Sequence, residues 1–198
     1  LYLRSFKREF FSRFGTLYDV RHYTGLKKRK RFAKRHGVFV QSLYNSMLQW
    51  QSEPLHTSLL GGMERRVRIA AIQSFHLIQG YMEDGKRRSN IEEGKRRSSL
   101  KAGEDGEEEK KTARQLCDMA IRIYGLRDEI YLQLMKQLEK NPSSTSRHRG
   151  WKLMEICLKK FPPSDVLENF LDYFCRQRSR ITQVKLMYQR IYLGADQV

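Results

Sequence analysis

Apolar residues recur along most of this chain at the three- and four-residue spacing of one helical face, and the stripes are broken at prolines, glycines and charged clusters. Phe6, Phe10, Phe11 and Phe14 predict a short amphipathic helix ending near Gly15. Val38, Leu43, Met47 and Leu48 predict a second, running up to Trp50, and Pro54 turns the chain. Val67, Ala70, Ala71, Ser74, Phe75 and Ile78 mark one stripe of a third. After a polar interval, Leu116, Met119, Ala120 and Ile123 repeat at i, i+3, i+4 and i+7, with Gly125 as the expected stop. Ile130, Leu134 and Leu138 predict the buried stripe of the next helix, which Asn141-Pro142 ends. Asp128 and Glu129 in its first turn and Lys136 and Lys140 in its last have the polarity a helix dipole favours.

From Ser146, the residues Trp151, Met154 and Leu158 predict a helix that Pro162-Pro163 stops. Asp165 with Glu168 reads as a cap pair for one whose Val166, Leu167, Phe170, Leu171 and Phe174 face inward. Val184, Met187, Tyr188 and Ile191 predict the last. No strand pair or Asn-Gly hairpin signal is present, so the expected fold is all-α, a compact multi-helix bundle.

Residues 85–112 interrupt this order with two copies of Gly-Lys-Arg-Arg-Ser nine residues apart and an acidic patch, and almost nothing apolar. A disordered insertion is expected there. Ser99, in Arg-Arg-Ser-Ser, has the spacing that basophilic kinases favour and is a candidate phosphosite. Residues 1–37 read as a basic, aromatic-rich extension and 38–198 as the helical domain. The chain opens at Leu1 and is expected to be a piece of a longer protein; no run of apolar residues is long enough to span a bilayer.

Charge changes the picture more than composition does. The formal net charge is +17, and residues 1–49 carry twelve basic against two acidic groups. Residues 50–84 carry three basic and four acidic. A field of this sign attracts nucleic acid, anionic lipid or acidic protein tails. The block Lys27, Lys28, Arg29, Lys30, Arg31, Lys34 and Arg35 is open to four readings: a charged solvated loop, a nuclear localisation signal, an anionic-lipid patch or a contact for acidic protein.

Candidate chemistry is sparse. Gly80, Gly85 and Lys86 fit the outline of a phosphate loop, but follow a helix, lack the magnesium-binding hydroxyl and enclose Glu83 and Asp84, which repel phosphate. Asp128 and Glu129 are adjacent, so a helix points them about 100° apart. His148 and Cys157 are separated by about 13.5 Å of helical rise. The five histidines form no metal-binding spacing, and Cys117, Cys157 and Cys175 read as buried reduced thiols. No catalytic residue, cofactor or metal is expected.

The segments "LRDEIYLQLMKQLEKNP" and "RGWKLMEICLKKFPPS", preceded by "MLQWQSEPLHTSLL" and "FHLIQGYMED", together resemble the myosin tail homology 4 domain. Glu83 stands where that family usually has glycine. The wording of residues 125–163 is most similar to the domain of a Vilse/CrossGAP-type Rho GTPase-activating protein; an unconventional myosin or kinesin tail is the alternative host. The resemblance implies a non-catalytic, cytoplasmic, cytoskeleton-associated module that binds microtubules through acidic tubulin tails and supports an adjacent domain. Any GTPase-activating or motor activity would lie outside this stretch. Lys136, Lys140, Arg147, Arg149, Lys152, Lys159 and Lys160, on or beside two consecutive helices, are the candidate partner-binding residues. A nucleic-acid or membrane-surface binder on a helical scaffold is the competing class; an anionic membrane is kept as a partner, and nucleic acid is disfavoured.

Overall fold

The computed structural model describes residues 19–23, 25–26, 47–84 and 102–193. The expected helix over residues 6–14, most of the stripe that leads up to Trp50, the basic block at 27–35 and Ser99 lie outside the described residues. Among the described residues the protein is six α-helices with no named strand; Leu26 and Leu60 form an isolated bridge.

Helix α1, Arg65–Met82, buries Ala70, Ala71, Ser74, Phe75 and Ile78 of the stripe its sequence predicts, leaves Val67 half-buried, and continues the stripe through Tyr81 and Met82. It ends because Glu83 turns left-handed, at φ 59°, so that the amides of Glu83 and Asp84 reach back to the carbonyls of Gly80 and Gln79. This is the position where the family resemblance leads one to expect glycine, and glycine adopts such a φ without steric cost.

Helix α2, Ala102–Arg122, corrects the expectation of disorder over 85–112, because it starts ten residues before that stretch ends. Low apolar content points to disorder, but over 102–112 charge pairing opposes it. Glu107 pairs with Lys110 at 2.6 Å and Glu108 with Lys111 at 3.6 Å, both at i, i+3, while Glu109 reaches across to Arg149 and Lys152. The helix stops at Ile123, whose φ of −121° and ψ of 87° leave the helical region, and a short 3-10 turn, Tyr124–Leu126, follows. Gly125 sits inside that turn and is not a left-handed cap.

Helix α3, Arg127–Leu138, is buried on every side from residue 129 to residue 138. It packs against α1, against α4 (Ser144–Lys160) and against α5 (Asp165–Gln177), so it is the axis of the bundle. Ser143 caps α4 by accepting the Ser146 amide at 3.2 Å. Ser164, not Asp165, caps α5, accepting the Leu167 amide. Val166 is 58% exposed and does not face inward; the buried stripe of α5 runs through Leu167, Leu171, Phe174 and Cys175. Helix α6, Ile181–Leu193, packs Val184 and Met187 on α4 and α5.

One polar stripe decides how the bundle closes. Glu129, Gln133, Lys136 and Gln137 stand at i, i+4, i+7 and i+8 of α3, a polar face kept from water: Gln133 bonds Ala71 and Ser74 of α1, and the other three meet residues 47–60. Glu129 accepts from the amides of Leu59 and Leu60 at 2.7 and 2.8 Å. Lys136 donates to the carbonyls of Met47 and Gln49 at 2.9 and 2.5 Å. Gln137 donates to the carbonyl of Gln51 at 3.0 Å and accepts the Gln51 amide at 3.2 Å. An irregular segment carries backbone groups that no helix or sheet satisfies, and these side chains satisfy them.

Candidate interaction surface

Lys136, expected on the partner-binding surface, is not on the surface at all. It is 1% exposed, its ammonium is spent on two backbone carbonyls, and it cannot meet an outside partner without opening the bundle. The stripe of Ile130, Leu134 and Leu138 is buried as expected, but the opposite face of α3 is buried too.

Of the other six candidates, most already have internal partners. Arg149 pairs with Glu83 at 2.8 Å and Glu109 at 3.4 Å, and Lys152 pairs with the same Glu109 at 3.2 Å. Lys159 pairs with Glu155 one turn earlier at 3.0 Å. Arg147 donates to the carbonyl of Asn141, closing the turn between α3 and α4. Lys140, left-handed at φ 53° in that turn, and Lys160, the last residue of α4, are exposed and make no ion pair among the described residues. They flank opposite ends of a 17-residue helix about 25 Å long. The structure therefore spreads these cations along α4.

A second set of cations was missed in the sequence. Arg65, Arg66 and Arg68 fall in the first five residues of α1, all exposed, with no carboxylate in that turn and no ion pair among the described residues. A helix N-terminus carries partial positive charge, so three arginines there repel it and one another. The signal was available in "ERRVR", but counting charge over 50–84 hid it: Glu53, Glu64, Glu83 and Asp84 cancel these arginines in the sum and pair with none of them in space.

The groups considered for chemistry are structural. Asp128 accepts from the Ser164 amide and hydroxyl at 2.9 and 2.6 Å and from the Tyr23 hydroxyl at 3.1 Å, tying α3 to α5. Its neighbour Glu129 faces the other way, toward Leu59 and Leu60. Burial, then Asp128, raises the Tyr23 phenol above its ordinary range. Asp84 is buried and accepts from Ser146 Oγ at 2.6 Å, Gln137 Nε2 at 2.9 Å and Asn141 Nδ2 at 3.3 Å, so it is a knot joining three helices and no part of a phosphate cradle. His148 is exposed while Cys157 is buried, and they do not meet as a pair. Burial pushes the thiols of Cys157 and Cys175 up, the latter to about 12, away from the thiolate a nucleophile needs.

Comparison with known proteins places the fold. Residues 113–193 match the model of the MyTH4 domain. The high molecular weight form of myosin-1 from Acanthamoeba castellanii is 29% identical over 174 residues, covering 88% of this chain and 10% of its own length. Kinesin-like protein KIN-14E from Arabidopsis thaliana is 31% identical over 132 residues, covering 66% of this chain and 9% of its own. The chain thus spans about a tenth of these relatives. A solved MyTH4-FERM MF1 domain of Dictyostelium discoideum myosin VII superposes with a TM-score of 0.67 over 92% of this chain and 35% of that one, at 20% identity, a likeness of fold.

Proposed function

We propose that this chain, whose residues 113–193 form a MyTH4 domain, is a non-catalytic interaction module in the tail of a cytoskeletal motor protein, an unconventional myosin or a kinesin. The relatives above favour that host over the Rho GTPase-activating protein that residues 125–163 resemble. Its partners are acidic, and microtubules, through their tubulin tails, are the reading we favour. The protein would then be cytoplasmic and cytoskeleton-associated.

One observation carries this reading: cations stay exposed with no ion pair among the described residues, among them Lys140, Lys160, Arg122 and the three arginines of α1. A chain evolved only as a spacer would have little reason to hold them against its overall net charge of +17. Arg147, Arg149, Lys152 and Lys159 would contribute second, by exchanging an internal partner for the partner's carboxylates. The block at 27–35 supplies a further contact, for tubulin tails or an anionic membrane, and Ser99 a place where phosphate would lower the field. Domain limits of 38–198, with 1–37 as an extension, and support of a neighbouring domain complete the proposal.

The test is co-sedimentation with microtubules. Binding is expected at low salt, weakening as salt approaches the ionic strength at which the Debye length is about 8 Å, and lost when the tubulin tails are cleaved away. Equal pelleting with tail-less microtubules contradicts the electrostatic reading.

A further inference from the structure

We propose that a groove between α1 and the linker joining α2 to the 3-10 turn docks an acidic segment of a partner protein that carries one bulky apolar side chain. The groove is a shallow, open depression of about 450 Å³ lined by Arg65, Arg66, Ile69, Ala70, Gln73 and Ile123. Its floor is apolar: Ile69 is 50% exposed and Ile123 half-buried, and Tyr124 beside it is 68% exposed. Isolated exposed apolar residues are ordinary, but here two are joined across a concave surface.

The occupant's charge follows from the lining. At about 100° per residue, Ile69 lies between Arg65 and Arg66 around the helix, so the guanidiniums flank the apolar floor on both sides. Neither has an ion pair among the described residues, and both sit in the first turn of α1, where the helix dipole opposes them. A folded protein that keeps cations at that position loses stability that aspartate or glutamate would return. Bidentate guanidinium–carboxylate pairing is the interaction that such a pair offers, and an acidic polypeptide satisfies it on both flanks at once. An apolar side chain between the two carboxylates then covers Ile69 and Ile123. This surface is separate from Lys140 and Lys160, so it stands whether or not microtubules are the partner there.

The probes are a short fluorescein-labelled glutamate-rich peptide with one central leucine, and the same peptide with alanine in its place, followed by anisotropy at low ionic strength against the whole chain. The leucine peptide is expected to bind several-fold tighter than the alanine one and to shift the methyl NMR signals of Ile69 and Ile123. Arg65→Glu with Arg66→Glu is expected to weaken it about tenfold. The same double substitution is expected to raise the melting temperature, because it corrects the charge at the helix terminus, so the loss of binding is not loss of fold. Arg65→Gln with Arg66→Gln is expected to give an intermediate loss, and Lys140→Glu with Lys160→Glu to leave binding and the methyl shifts in place. Equal affinity for both peptides, no binding of either, or an affinity unchanged by the double reversal overturns the proposal.

Discussion

Lys136 on α3 and the arginines of α1 make an instructive pair. All are cations on helices, yet one is buried against two carbonyls and the others stand in water with no carboxylate paired to them among the described residues. Lys136 belongs to the group that holds residues 47–60 onto the bundle; Arg65, Arg66 and Arg68 hold nothing in the described structure. A cation's place in a charge count therefore says less than whether the fold itself supplies an acceptor. Where it does, the residue is structural; where it does not, the acceptor is to be sought outside.

Substitution sharpens this contrast. The largest effect is expected for Glu129→Ala, which strips the acceptor from two buried amides and from Gln133 Nε2, 3.0 Å away. Chemical denaturation should report a loss of about 3–5 kcal/mol. Lys136→Met keeps much of the volume but leaves the Met47 and Gln49 carbonyls unmet, with an expected loss of about 2–3 kcal/mol. A loss below 1 kcal/mol in that variant, roughly what a solvated surface lysine gives, would erase the contrast.

Gly150→Ala comes next. A Cβ there would lie 2.7 Å from Met82 Cε and 2.9 Å from Leu138 Cδ2, where α4 crosses α1 and α3. Both neighbours are ends of flexible side chains, so thermal melting should show a modest loss, about 1–2 kcal/mol. The smallest change runs the other way. Glu83→Gly relieves a left-handed backbone and gives up a partly exposed pair with Arg149, for a net gain of about 0.5–1 kcal/mol by the same assay.

Much of the fold was legible because local chemistry and packing agree. Pro162-Pro163 stops α4 and Asn141-Pro142 follows α3, and the stripes of α1, α4 and α6 are the ones that pack. Three features were not legible. Periodicity assigns a charged stripe to water by default, so the contact of Glu129 and Lys136 with an irregular segment left no mark in the pattern. Scarcity of apolar residues over 102–112 concealed a helix end held by ion pairs within the helix and by Glu109 across to α4. Val166 reads as core by residue type, but only the angular stripe through Leu167 and Leu171 reaches the bundle. Of the candidate surface, the candidates around α4 could be named as charged, but which of them the fold had already neutralised depended on Glu83, Glu109 and Glu155, two of them distant in sequence.

The division into neutralised and available cations can be measured directly by binding of poly-glutamate across a salt series, comparing Lys140→Gln with Lys160→Gln against Arg149→Gln with Lys152→Gln. The account predicts that the first pair weakens binding and flattens its salt dependence without moving the melting temperature, while the second changes binding less and lowers the melting temperature. The reverse pattern, with binding resting on Arg149 and Lys152 and indifferent to Lys140 and Lys160, would contradict it.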